Sequence, residues 1–208
     1  NSSLGFKTNL EENIILRVNL ASGFRAPNLA ELTSNGVHEG SNRYEIGNSD
    51  LENEQNFQTD LNIEYRNSHF ELFANGFYNH INNYIFISPN GTTIDENEVY
   101  DYLQANAALY GGEAGIHFHP HPIDWLHVTS SFESVTGKKQ NGDNLPLIPA
   151  NKWNNSIKTE FKPTKYFKDS FAVVNIEYIF NQNNPSQFET KSNDYTLDLT
   201  YDNSDLSR

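Results

Sequence analysis

Connections between the apolar runs of this chain alternate in length from one end to the other, and that alternation constrains the fold more than any single motif. Period-two runs bounded by turn residues indicate nine strands, at roughly 4–10, 14–24, 54–66, 69–86, 100–119, 125–136, 152–162, 170–181 and 194–201. The connections are short at about 11–13, 67–68, 120–124 and 163–169, and long at about 25–53, 87–99, 137–151 and 182–193, in strict alternation. Successive connections of an up-and-down antiparallel sheet lie at opposite ends. Every long loop therefore falls on one rim and every short turn on the other, the asymmetry of a membrane-spanning barrel.

The strands themselves agree. Ile14, Leu16, Val18 and Leu20 share one face of their run, and Arg17 and Asn19 share the other. Runs such as 69–86 and 100–119 far exceed the ~5–6 residues usual in globular sheets and are long enough to cross a bilayer at a tilt. No stretch approaches the ~18 consecutive apolar residues of a membrane helix. Strands that alternate lipid-facing and lumen-facing side chains need no such stretch, which accommodates a hydrophobic content of only 36% beside 14 Phe and 11 Tyr. The expected fold is all-β: an antiparallel up-and-down transmembrane β-barrel, present here as a partial barrel of about nine strands. The alternative is a secreted or periplasmic all-β ligand-binding domain.

Several functions are excluded. The absence of Cys removes disulfides, thiolate metal sites and cysteine nucleophiles. A net charge of -13, with the 14 Lys and Arg residues scattered, argues against nucleic acid and favours cationic ligands. No Gly-x-Ser-x-Gly elbow, His-Glu-x-x-His pair or phosphate-binding glycine loop is present, so no enzyme is expected.

Four ordered segments carry a family resemblance. Ala21-Ser22-Gly23-Phe24-Arg25-Ala26-Pro27-Asn28-Leu29-Ala30-Glu31-Leu32 couples a strand end to an extended Ala-Pro step and a brief helical turn. Gly47-Asn48-Ser49-Asp50-Leu51-Glu52-Asn53-Glu54 leads into the next strand, with Ser49 and Glu52-Asn53 where the family commonly has Pro and Lys-Pro. Tyr110-Gly111-Gly112-Glu113-Ala114-Gly115 and Leu145-Pro146-Leu147-Ile148-Pro149-Ala150 follow in order. Together they resemble the barrel of TonB-dependent outer-membrane receptors. The stretch Asn35-Gly36-Val37-His38, with Asn42-Arg43-Tyr44-Glu45-Ile46-Gly47-Asn48, looks closest to the branch that takes up zinc.

The resemblance implies a transporter in the bacterial outer membrane whose partners are outer-membrane lipid, a small cargo ligand and the TonB energy-coupling complex, reached through a plug domain. The chain opens without a leader at Asn1 and stops at Ser207-Arg208. On this reading residues 1–208 are the C-terminal segment of the barrel, with the plug and earlier strands outside them. No cofactor is required. The cargo is a transported metal ion, zinc favoured, or a ferric chelate; a siderophore, haem or oligosaccharide are the alternatives.

His38, Glu39 and Glu45 are the candidate metal ligands, an imidazole and carboxylate set suited to zinc on an outer loop. His117 and His119 share one strand face beside His121. The loop alternation puts them at the short-turn rim, where capture from outside does not begin. Tyr84, Phe86, Tyr100 and Tyr102 are expected in an interfacial aromatic girdle near the long-loop rim.

Overall fold

The structure, a computed structural model, describes residues 1–165, 170–189 and 197–202. Its elements are β1 (Ser2–Glu11), β2 (Ile14–Arg25), the short helix α1 (Leu29–Thr33), β3 (Asn35–His38), β4 (Arg43–Ile46) and β5 (Glu54–Arg66). They continue with β6 (Phe70–Ile94), β7 (Asn97–Phe118), β8 (Leu126–Lys139), β9 (Lys152–Glu160), β10 (Phe171–Ile179) and β11 (Leu197–Asp202). Nine strands form one antiparallel sheet in the order β1-β2-β5-β6-β7-β8-β9-β10-β11, while β3 and β4 make a hairpin beside it. Each of the nine expected strands has its counterpart. The expected connections at 163–169 and 182–193, and the start of the last strand, lie partly outside the described residues. Strands β1 and β11 stand at the two ends of the sheet, which is open.

The register sorts side chains onto two unlike faces. Phe6, Val18, Leu61, Gly76 and Gly112 follow one another across β1, β2, β5, β6 and β7 in one row. One residue along, Lys7, Arg17, Asn62, Asn75, Glu113, Glu133 and Lys152 form the opposite row from β1 to β9. The first face carries large apolar groups open to the surroundings, including Leu4, Phe6, Leu61, Ile63, Leu72, Phe132, Ile157 and Val174. The second is knitted by polar bonds: Arg17 to Asn62 at 2.6 Å and to Glu64, Asn19 to Asp60 at 3.1 Å, and Lys152 to Glu177 at 3.3 Å. An exposed apolar face of this extent belongs against lipid, and the polar face belongs to the lumen.

Aromatic pairs bound the apolar band. Phe70 stacks on Phe118 at 4.8 Å toward the short-turn end, and Tyr78 stacks on Tyr110 at 6.3 Å toward the other. Between them on β6 the outward positions are Leu72, Ala74 and Gly76, and on β7 they are Ile116, Ala114 and Gly112. Eight residues at ~3.4 Å each span about 27 Å of strand, or roughly 20 Å of height at a ~40° tilt, close to the ~25 Å apolar band of outer-membrane barrels.

Glycines make the tight crossing possible. A Cβ on Gly112 would lie 2.3 Å from the Asn75 carbonyl oxygen of β6, and one on Gly111 would lie 2.2 Å from that of Ser134 on β8. Only glycine lets three strands approach so closely there.

The structure departs from expectation in two connections. The loop expected at 87–99 is instead the continuation of β6 and β7, which pair as far as Ile94 and Asn97. Pro89-Asn90-Gly91 reads as a turn, but the ladder absorbs it as an irregularity between Pro89 and Thr93, with Gly91 at φ 81°. The chain reverses at Asp95 and Glu96, both left-handed with φ 47° and 65°, as a two-residue hairpin requires. The loop expected at 25–53 contains α1 and the β3–β4 hairpin; four-residue strands are too short to show a period-two pattern.

Placing Arg at the lipid-facing, mid-band position Ile63 is expected to destabilise the full-length protein by about 2–4 kcal/mol in lipid vesicles. Asn154→Ser on the lumenal face should stay within about 0.5 kcal/mol. Urea unfolding of both variants checks the assignment of faces.

Candidate functional site

The long-loop end is built around one guanidinium. Arg25, the last residue of β2, pairs with Glu54, the first of β5, through Nε to Oε2 at 2.8 Å and Nη2 to Oε1 at 2.9 Å. Its Nη1 reaches both oxygens of Glu31 at 2.8 and 2.9 Å. Glu31 is buried and closes a capping box with Asn28, each backbone N–H donating to the other's side chain. Hydrogen bonds to Glu54 and then Glu31 raise the Arg25 pKa above its ordinary value, so the clamp is permanently charged. Glu54 also accepts from the Ile85 amide at 2.7 Å, which ties the network to β6.

The chain then closes on α1. The Gly47 amide donates to the Ser34 carbonyl at 2.7 Å and the Asn48 amide to that of Glu31 at 2.8 Å. A Cβ on Gly47 would stand 2.6 Å from the amides of Thr33 and Ser34, so this position has room for glycine alone. Gln104 of β7 accepts from the Glu52 amide and donates to the Glu52 and Asn83 carbonyls, fixing the segment to the wall.

Strand β4 adds to the free upper edge of β7 as a parallel neighbour, Arg43 to Ile46 against Glu98 to Asp101. Glu45 is 4% exposed and accepts from Arg43 Nε at 2.8 Å and from the Tyr102 hydroxyl at 2.9 Å. Burial pushes the Glu45 carboxyl up, but the two hydrogen bonds and the Arg43 charge outweigh it and hold it below the ordinary carboxylate range. Burial and the same carboxylate push the Tyr102 phenol up to about 12.

The hairpin brings the three sequence candidates onto one small element without making them converge. His38 ends β3, exposed, 3.3 Å from the Ser41 hydroxyl, and Glu39 is exposed beside it. The Glu45 carboxylate is engaged by Arg43 and Tyr102. Among the described residues no three His, Asp or Glu side chains are already arranged around one metal position.

A second loop folds inward. Leu145, 1% exposed, donates its amide to the Gly137 carbonyl at 3.0 Å, and Lys138 donates to Asn144 at 2.6 Å. Gln182 and Glu189 bond the Ile148 carbonyl and the Leu147 amide, each at 2.6 Å, so the 140–151 and 180–189 segments interlock. Beneath them on the lumenal face lies an open hollow of about 730 Å³ lined by Asp60, Asn62, Asn75, Glu113, Glu133 and Lys152, with Pro149 at its upper edge.

The four aromatics expected as a girdle take other roles. An extra residue in β6 between Ile81 and Tyr84 moves Tyr84 and Phe86 opposite Ala105 and Leu103, onto the row that is lumenal lower down. Tyr100 and Tyr102 lie on the other face, where Arg43 covers the Tyr100 ring at 5.2 Å and Glu45 bonds Tyr102. Tyr78 and Tyr110 bound the band instead; their spacing from Phe70 and Phe118 was the available signal.

Known proteins share this fold. The family model described as TonB dependent receptor-like, beta-barrel, matches residues 1–206. The chain belongs to that family. Its members are outer-membrane barrels that act as transport receptors rather than enzymes. Among solved structures, a copper transporter, OprC, superposes with a TM-score of 0.72 at 18% identity over 96% of this chain and 29% of that one. The ferric enterobactin receptor PfeA of Pseudomonas aeruginosa gives 0.62 at 20% identity over 96% and 31%. The siderophore receptor PirA of Acinetobacter baumannii gives 0.62 at 16% identity over 96% and 33%. The chain thus spans about a third of the length of the receptors it matches.

Gly47→Ala is expected to cost about 1–3 kcal/mol locally and to open residues 26–53 to protease, read by limited proteolysis of the intact receptor. Two titrations should flank the hairpin. The Glu45 pKa is depressed on folding, so its contribution is present above the ordinary Glu value of about 4.3 and is lost as pH falls through the lower folded-state value. The Tyr102 pKa is raised, so its contribution is full below about 10 and is lost as pH rises through about 12. Ultraviolet difference titration of wild type against Tyr102→Phe should assign the late phenolate, and Glu45→Gln should bring it earlier.

Proposed function

We propose that these residues form a contiguous wall segment of a larger plugged barrel that captures a scarce metal chelate at its outer loops for TonB-driven uptake. The reading rests above all on the ordered long-loop end: a charge-clamped loop, a docked hairpin and two interlocked loops stand at one end of a wall whose lumenal face carries an open hollow lined by Asp60, Asn62, Glu113 and Lys152. A wall of nine strands leaves two unpaired edges, which a bilayer does not tolerate, so further strands must complete it. The plug, and with it the contact to TonB, belongs to the rest of the receptor.

The copper, ferric enterobactin and siderophore receptors that share the fold support a metal or metal chelate as cargo. A chelate fits the hairpin better than bare zinc. With the Glu45 carboxylate bonded on both oxygens, His38 and Glu39 offer two ligands where a closed zinc site takes four. The half-buried Tyr44 and the exposed His38 present aromatic and polar groups suited to the rim of a chelate.

Calorimetry on the full-length receptor in detergent tests this, with a ferric catecholate chelate and zinc as probes. The expected result is chelate binding that weakens about tenfold or more, roughly 1.4 kcal/mol, when residues 35–46 are replaced by a short linker. Uptake of the chelate should stop in cells lacking TonB. No binding of the chelate, whatever zinc does, or uptake independent of TonB, would overturn the reading.

A further inference from the structure

Five of the seven histidines, His69, His117, His119, His121 and His127, gather at the short-turn end of the wall, from three separate parts of the sequence. His117 and His127 stack at 5.4 Å with Nε2 of the first 3.2 Å from Nδ1 of the second. Their other nitrogens face carboxylates: His117 Nδ1 lies 3.9 Å from Glu71, and His127 Nε2 lies 3.7 Å from Glu160. The His119 ring stands 5.2 Å from that of His117 and 6.2 Å from that of His127, and its Nδ1 is buried without a hydrogen-bond partner.

We infer that His117 and His127 form a binding site for a borderline divalent transition cation such as zinc at the periplasmic mouth, with His119 as the third ligand. Two nitrogens each about 2.0–2.1 Å from a tetrahedral ion stand about 3.3 Å apart, close to the observed separation. A carboxylate stands behind each ring, and on closing from 3.9 and 3.7 Å to hydrogen-bond distance it would fix the tautomer and raise the basicity of a metal-bound imidazole. The competing use of the pair is a single hydrogen bond between imidazoles. That bond leaves the His119 Nδ1 buried and idle. The three rings do not converge on one point in this structure, so binding requires them to reorient.

The site lies on the lumenal face, one strand-length below the outer loops. It is independent of the outer-loop reading, so a receptor whose loops capture a chelate, or something else, can still carry it. Glu71 and Glu160 also bond Arg66 and Lys158. Those cations leave the carboxylates oriented toward the histidines without a net excess of negative charge, so imidazole nitrogen, and not carboxylate oxygen, selects the ion.

The test is titration of the full-length receptor in detergent with zinc by calorimetry and with cobalt(II) by visible absorption, which reports nitrogen ligation directly. Wild type is expected to bind one ion at this end. His117→Ala and His127→Ala should each weaken binding about tenfold or more, at least the loss that follows removal of an outer-shell partner of a metal-bound histidine, and should abolish the cobalt bands. His119→Ala should weaken it and shift the bands, while His80→Ala should leave both unchanged. If either alanine variant loses the heat-resistant mobility of a folded barrel, His117→Gln and His127→Gln replace it. No zinc binding in wild type, unchanged affinity in the His117/His127 double variant, or loss with His38→Ala in place of these, would overturn the assignment.

Discussion

A backbone that crosses lipid has no water to bond its N–H and C=O groups, so each must find a partner in a neighbouring strand. That requirement fixes most of what is seen here. Strands β1, β2 and β5–β11 pair with their neighbours in near-continuous register across the band between Phe70 and Tyr78, and the irregularities in β6 fall beyond it, at Ile81–Tyr84 and Pro89–Thr93. Bulges bend and end ladders, and the wall permits them only where water or other chain is available.

Freed from lipid, the upper ends of β6 and β7 become a scaffold rather than a wall. Their extension gives β4 an edge to join and gives Gln104, Asn83 and the Ile85 amide something to hold in the 48–54 segment. Arg25 then links the wall to the loop, since it pairs with the strand residue Glu54 and the helix residue Glu31 at once. Breaking a partly buried, doubly paired guanidinium would leave Glu31 buried without its charge partner, which is why this loop behaves as part of the fold.

Much of this was legible in one sequence. The alternation of Leu16 and Val18 with Arg17 and Asn19 assigned the faces, because side chains of a strand alternate with period two whatever surrounds it. Arg25-Ala26-Pro27-Asn28 and Gly47-Asn48 marked the loop, and the structure gives each a reason: a clamp, an N-cap and a contact with room only for glycine. The turn at Asp95-Glu96 was not legible, since Asn-Gly at 90–91 is the stronger turn signal and only the ladder decides that it is absorbed. The candidate site was half legible. His38 and Glu39 lie at an exposed tip as a loop position suggests, whereas the engagement of Glu45 depends on Tyr102, 57 residues away.

The sequence by itself determined the nine strands of the wall, the direction of the loops and the two faces, because these follow from local period and turn chemistry. Tertiary structure alone decided which side chains meet. His69, His117 and His127 lie on different strands or turns, and only antiparallel register at the short-turn end makes them neighbours. Register is a property of the paired sheet, so contacts across it are absent from any single run of residues.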